Sequence, residues 1–439
     1  MTRGSRGRPR LRFVWALLAL TSLLAADGGR CALAAPMGKA EEEQRLKVAM
    51  VFADAANWFI DHGRKTEVAR CTAEIKEVYP AAPNLADLEK AVAEGTGAEK
   101  EATPETDAHW KKVLGDAAKG WEKIGDLRGT AKDEAGQASA IAKACELDPT
   151  KPRLAKGLAA VKALSGNKTK PEAAGLLLGR LRDADPDDSK AKYDALEAEM
   201  ASSDVALVKA PGHPMVAWLS LPKGWTKKGE WDVLVTVEGA GSNFLGATRG
   251  AAGSRGSRKF LVLGPCSLSN TNALEPAKYP FYPPAVLEEW GQRRIDFDLP
   301  GLEAILDMLV ERYGASKKVA ITGFSGGGNL CYSLLLRRPQ RVWAAAPACA
   351  NFQPGLVGDA TPVEDGGPPV HLFTGANDEH KDHVFGQKPG IEGQTDWAME
   401  AFGNLGFKNV KRTMLPGVGH SSCTTQVWTF LDEVLASRK

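Results

Sequence analysis

Three side chains in this sequence of 439 residues have the types needed to move an acyl group: Ser325, Asp378 and His420. A serine hydroxyl keeps its proton at neutral pH, so a base must take it and a carboxylate must hold that base in the right tautomer. Ser325 is the centre of Gly323-Phe324-Ser325-Gly326-Gly327, which fits the G-x-S-x-G nucleophile elbow. In an elbow the serine stands on a tight strand-to-helix turn, and Gly323 and Gly327 leave empty the space a Cβ would crowd. The same five residues also build ordinary turns, so context decides. Val319, Ala320, Ile321 and Thr322 read as a buried strand before the motif, and an apolar run fitting a helix follows it. The start of that helix would aim N–H groups and its positive dipole end at an oxyanion forming on the substrate.

His420 suits the base, because Gly417 and Gly419 place it in a turn rather than inside a periodic element. Asp378 stands nearer a predicted strand end than Glu379 or Asp382 and is expected to orient it. The cluster Asp378, His380, Asp382 and His383 admits a divalent-ion reading, but His380 and His383 lack a second defined pair of ligands, and no metal or other cofactor is expected. Cys331 falls two helical turns past Ser325, where a small buried residue packs on a sheet. Tyr279, Phe281, Tyr282 and Trp290 either wall an acyl pocket or cover the core, and the sequence leaves both open.

These residues meet only if regular elements bring them together. From about residue 206 onward, strand signals (215–221, 232–238, 260–263, 319–322, 342–348, 369–374 and 410–415) alternate with helix signals. That alternation predicts an α/β domain with a mainly parallel sheet over 206–439. Ser325, Asp378 and His420 then each follow the C-terminal end of a strand, where open α/β sheets bind ligands. The segment 265–290 carries too many prolines and aromatics for a regular element. The helix after it is expected to take Asp298 as its cap and Pro300 in its first turn.

Residues 36–205 read as all helix, with apolar faces over 48–60 and 68–78 and a polar loop over 94–107. Pro80, Pro149 and Pro186 are spaced 69 and 37 residues apart, close to two periods and one period of a repeat of about 34 residues. Residues 1–35 read as a secretory signal peptide: five arginines up to Arg12, an apolar run over 13–25, and Ala32-Leu33-Ala34 before the cleavage point. Export to the periplasm or the extracellular space is therefore expected, with no membrane segment once the signal is removed. The signal carries six arginines and one aspartate, so the formal charge of +2 becomes about −3 without it, and no basic face for nucleic acid is implied. Of seven cysteines, Cys31 leaves with the signal and the others show no C-x-x-C spacing. Export permits disulfides, and buried thiols fit the scatter equally well.

The stretch KVAITGFSGGGNLCYSLLLRRPQRVWAAAPACANF resembles secreted α/β-hydrolases of the polyhydroxyalkanoate-depolymerase and feruloyl-esterase type. The resemblance implies a Ser325–His420–Asp378 triad and an oxyanion hole made by the Gly326 N–H and an N–H from the loop after an earlier strand. By position that second donor is Ala240, with Glu238 where the family usually carries histidine. ELDPTKPRLAKGL and DADPDDSKAKYDALE resemble the ends of tetratricopeptide repeats, which implies helical hairpins offering a surface to a protein partner; an ordinary helical bundle fits the same pattern. The expectation is an exported serine hydrolase cleaving carboxylic esters. Two alternatives stay open: a serine peptidase or thioesterase with the same triad, and a helical-repeat binding protein carrying an inactive hydrolase domain.

Overall fold

The computed structural model describes residues 38–94, 99–167, 170–186, 191–358, 360, 362–384 and 386–438, all within one compact unit, Ala34–Lys439. The expected signal peptide lies outside the described residues. Among the described residues, no helix is long and apolar enough to cross a membrane.

Eight helices come first among the described residues: α1 (Lys39–Asp61), α2 (Lys65–Val78), α3 (Leu85–Glu94), α4 (Pro104–Thr130), α5 (Glu134–Leu147), α6 (Lys151–Ser165), α7 (Pro171–Ala184) and α8 (Ala191–Ser203). Pro80, Pro149 and Pro186 each stand two residues beyond the end of α2, α5 and α7, where a residue with no N–H cannot continue the ladder. α4 opens on a capping box: the Thr103 hydroxyl accepts the Thr106 N–H, and the Thr106 hydroxyl accepts the Thr103 N–H. Val48, Phe52, Phe59, Ile75 and Trp121 fill a core between the first helices. The later helices instead share a core with the sheet, through Leu177, Leu181, Tyr193 and Met200. Buried Glu197 of α8 accepts Arg182 Nη1 at 3.0 Å and the Tyr313 hydroxyl at 2.5 Å, tying the helices to the sheet-containing half. Removing one partner from such a pair would leave a buried charge uncompensated.

The second half runs β1 (Ala206–Lys209), β2 (Val216–Ser220), β3 (Asp232–Val237), α9 (Phe244–Ser254), β4 (Phe260–Pro265), α10 (Pro284–Trp290), α11 (Arg294–Tyr313), β5 (Val319–Gly323), α12 (Gly328–Arg337), β6 (Val342–Ala345), β7 (Val370–Gly375), α13 (Ile391–Asn404), β8 (Val410–Leu415) and α14 (Thr424–Ser437). The strands form one sheet in the order β1-β2-β4-β3-β5-β6-β7-β8. β2 is antiparallel to both neighbours, and every pair from β4 to β8 is parallel. This is the α/β-hydrolase fold. Both faces are covered, as a parallel sheet requires. Val233, Val235 and Val237 of β3 share a core with Ile305 of α11 and Leu334 of α12, while Leu234 between them packs with Ala251 of α9 and Trp428 of α14.

Several sequence expectations change here. The strand expected over 342–348 stops at Ala345, because Pro347 has no N–H to give the ladder; Ala348 then bridges both Phe324 and Phe373. Asp298 is not a cap. α11 starts a turn earlier, with Pro300 inside it, and Asp298 is fully buried, accepting the N–H groups of Leu268 and Ser269 at 2.8 Å each. The proline costs little there because the carbonyl it leaves unpaired, that of Asp296, belongs to an exposed residue. The proline-rich segment holds a short helix, α10, and its tyrosines belong to the core. Tyr279 is buried, and the buried Tyr282 hydroxyl donates to the Cys266 carbonyl at 2.6 Å. β1 was not anticipated; its four residues are too few to show a period.

Candidate active site

β5 ends at Gly323, and the chain turns at Ser325 with φ of +51°, a left-handed conformation that a non-glycine residue adopts only where its surroundings fix it. Those surroundings are close. A Cβ on Gly323 would sit 2.7 Å from the Cβ of Cys331, and one on Gly327 would overlap the Val237 carbonyl oxygen. The Ser325 carbonyl accepts the Asn351 N–H at 2.8 Å, and Ala348 N–H reaches the Gly323 carbonyl at 3.0 Å, so the elbow is braced from the β6 side.

Asp378 lies three residues past β7 and is 2 % exposed. Both its carboxylate oxygens are used. Oδ1 accepts the His380 N–H at 2.8 Å, and Oδ2 is 2.9 Å from His420 Nδ1. Glu379 and Asp382 make no such contact with the His420 ring among the described residues. The loops carrying the pair are joined by the Ala376 N–H on the Leu415 carbonyl (3.0 Å) and the Asn377 N–H on the Val418 carbonyl (2.9 Å). Gly417, at φ of +72°, makes the turn that sends the chain back over the sheet to His420. The Phe324 ring packs 4.8 Å from the His420 ring, centroid to centroid, which sets the imidazole beside the elbow. Ser325 and His420 share no hydrogen bond among the described residues.

Burial works against a charged His420, and the Cys349 thiol and Asp378 carboxylate work for it; the balance lifts its pKa above the ordinary histidine value. Cys349 is a residue that sequence reasoning left among the scattered thiols. It stands at φ of +42° just past the broken strand β6, between the serine and aspartate strands. Its sulfur, an Asp378 carboxylate oxygen and a His420 nitrogen lie within 4.8 Å of one another. Among the described residues this is the group that converges, and His383 and Asp382 are not in it. The cysteines from Cys71 to Cys423 are all buried free thiols.

The loop expected to supply an oxyanion donor, Gly239-Ala240, is held by residues that carried no sequence signal. Asn270 is 1 % exposed; its Nδ2 donates to the Gly239 carbonyl at 2.7 Å and to Ser242 Oγ at 3.1 Å, and its Oδ1 accepts the Tyr279 hydroxyl at 2.8 Å. On the other side its carbonyl oxygen occupies the space a Cβ on Gly326 would need. One residue therefore touches both halves of the expected oxyanion hole, the Gly239-Ala240 loop and Gly326. The pocket reading of Tyr279 gives way to this bracing contact. A Cβ on Gly239 would lie 3.0 Å from that of Ser325, so the loop passes directly by the serine.

Glu238 lines a cavity of about 250 Å³ with Thr236, Thr322 and Ser422. Burial raises its pKa, and the neighbouring Gly239 N–H opposes the rise. Glu238→Gln keeps an acceptor of the same shape, so kcat/KM on a neutral ester is expected to change less than about tenfold, against a loss of about 10²–10³ for a missing oxyanion donor. A loss of the larger size on that ester would place the Glu238 charge in the reaction.

No protein-family model matches the sequence, and no curated protein matches it. Among solved structures the chain is similar to poly(aspartic acid) hydrolase-1 from Sphingomonas sp. KT-1, at 19% identity and TM-score 0.39 over 52% of this chain and 97% of that one. It is also similar to a thermostable esterase, at 17% identity and TM-score 0.38 over 54% of this chain and 64% of that one. A third is the dienelactone hydrolase of Anabaena variabilis, at 16% identity and TM-score 0.37 over 53% and 96% of the two chains.

Proposed function

We propose that the chain is a serine hydrolase cleaving carboxylic esters through an acyl-enzyme on Ser325. The observation that carries this reading is the Asp378–His420 hydrogen bond set beside a serine in a left-handed elbow conformation. With Nδ1 bound to Asp378, the His420 proton sits there and Nε2 is left as the base. Nε2 takes the Ser325 proton as Oγ attacks the ester carbonyl, and the oxyanion is received by the Ala240 and Gly326 N–H groups. The tetrahedral adduct collapses, His420 protonates the departing alcohol, and water then repeats the sequence to free the acid. Export is part of the proposal, resting on the signal-like composition of residues 1–35. The helical half is proposed as a tetratricopeptide-like platform for a protein partner, with a core of its own built from α1 to α4 and one face of α5.

Triad chemistry alone does not choose among oxygen, nitrogen and sulfur leaving groups, since the same acid protonates each. The test is turnover of p-nitrophenyl acetate, an aminoacyl anilide and a thioester side by side, with fluorophosphonate labelling mapped by peptide mass. Labelling at Ser325 with ester turnover foremost is expected. Amide cleavage without ester cleavage would make the protein a peptidase, and no labelling with no turnover would leave a binding protein on a hydrolase scaffold.

A further inference from the structure

A second cavity, about 430 Å³, opens on the flank of the elbow helix α12 and is lined by Ser269, Thr271, Arg293, Arg294, Asn329 and Arg337 among others. It adjoins the candidate site through its inner wall. Asn329 stands one helical turn beyond Ser325 and its Nδ2 donates to the Ser269 carbonyl at 2.7 Å; Ser269 in turn precedes Asn270, which abuts Gly326. Two observations mark this cavity as more than a surface dent. The first is charge: among the described residues, none of the three arginines is ion-paired, although Arg338 and Arg341 close by are held by Glu303 at 3.1 Å and Asp307 at 2.7 Å. Arg294 spends its donors on the carbonyls of Gly291, Thr271 and Asn272, and its charge faces buried Asp298. Arg293 lies over the Trp290 ring at 4.8 Å, and Arg337 makes one long bond of 3.4 Å to the Leu356 carbonyl, so these two guanidinium groups keep donors to spare. Asp296 is the single carboxylate on the lining, and it is exposed. The second observation is the inner wall. The Ser269 hydroxyl, 6 % exposed, lies against the buried Asp298 carboxylate and is held there, so the charged groups with donors to spare at this cavity are Arg293 and Arg337.

We propose that this cavity is a carboxylate-binding subsite, so that the esters handled at Ser325 carry a carboxylate on the group that enters it. The substrate class rests on the serine-hydrolase reading above; the binding of a carboxylate does not. Arg293 and Arg337 suit the task because a planar guanidinium matches a carboxylate with two parallel bonds.

Two measurements on the full chain separate the inference from the reading it extends. The first is calorimetric titration with glutarate, with pentanamide as the neutral control. Glutarate is expected to bind, pentanamide not, and Arg293→Gln with Arg337→Gln to weaken glutarate at least about tenfold, with the wild-type affinity falling as salt rises. Arg293 is exposed, so Arg293→Gln alone serves if the double variant folds poorly. The second is kcat/KM for the 4-nitrophenyl half-esters of succinate, glutarate and adipate against neutral esters of the same chain length. At least one half-ester is expected to be preferred by about tenfold, and the arginine substitutions to lower it about tenfold more than its neutral partner. Failure of glutarate to bind, binding indifferent to the arginines, or equal turnover of charged and neutral esters would overturn the subsite. Glutarate bound as expected with no ester of either kind cleaved would keep the subsite and remove the esterase reading.

Discussion

Ser325→Ala and His420→Ala are each expected to lower ester turnover by about 10⁶, and the double variant to fall no further. The reason is that neither residue has a task without the other. Without His420 the Ser325 proton has nowhere to go, and without Ser325 the imidazole has no nucleophile to activate. What survives is the residual rate supplied by substrate binding and the oxyanion donors, about 10³–10⁴ over water, which the proposed mechanism assigns to binding and to the Ala240 and Gly326 N–H groups rather than to the triad. The two substitutions differ structurally, which makes their agreement informative. Ser325→Ala keeps the left-handed backbone at the elbow and removes one oxygen, whereas His420→Ala empties a site between the Phe324 ring and the Cys349 thiol. Single-turnover kinetics on p-nitrophenyl acetate would measure the rates, and melting curves would show whether the fold is retained. If the losses multiplied in the double variant, the two residues would be acting separately and the triad assignment would fail.

How much of this was legible in the sequence follows from how each residue announces itself. The strand leading to Ser325 is a run of apolar and β-branched residues closed by Gly323, and β8, leading to His420, is Val-Lys-Arg-Thr-Met-Leu closed by Pro416-Gly417, so their limits can be read closely. Asp378 and His420 follow because each stands a few residues past such a strand. Asn270 could not be found that way. It lies in an irregular segment with no period, where serine and asparagine read simply as turn formers, and its importance exists only in the tertiary contacts it makes to Gly239, Ser242 and Tyr279. Asp298 misled for a related reason: an aspartate two residues before a proline carries the local pattern of a helix start, and only burial against Leu268 and Ser269 reveals its other use. Cys349 became visible once Pro347 was seen to break β6, because the strand it would otherwise have continued carries side chains to alternate faces. The arginines around the second cavity are polar residues of α11, α12 and the turn before α11; sequence alone would assign them to a solvated surface.

Asp378→Asn is expected to reduce kcat by about 10⁴ while leaving the site geometrically intact, and the two bonds of the carboxylate say why. Oδ1 accepts the His380 N–H, a donor that an asparagine must continue to satisfy with its own carbonyl oxygen. The amide NH₂ is then the group that faces His420 Nδ1, which must turn from donor to acceptor. The ring proton moves to Nε2, and the nitrogen that should take the Ser325 proton already carries one. A second signature separates this from a loss of packing. The general base works as the neutral imidazole, so kcat/KM rises with pH through the His420 pKa, and in the wild type that inflection lies above the ordinary value of about 6.5. Asp378 is one of the groups holding it there. With the carboxylate gone, burial keeps disfavouring the charged ring while the Cys349 contact and the Glu379 charge still support it, so the acid limb of the residual activity should move to lower pH. A pH–rate profile of the two proteins on one ester measures both effects. An inflection that stays in place while the rate falls would mean that Asp378 supports the loop and not the charge on His420.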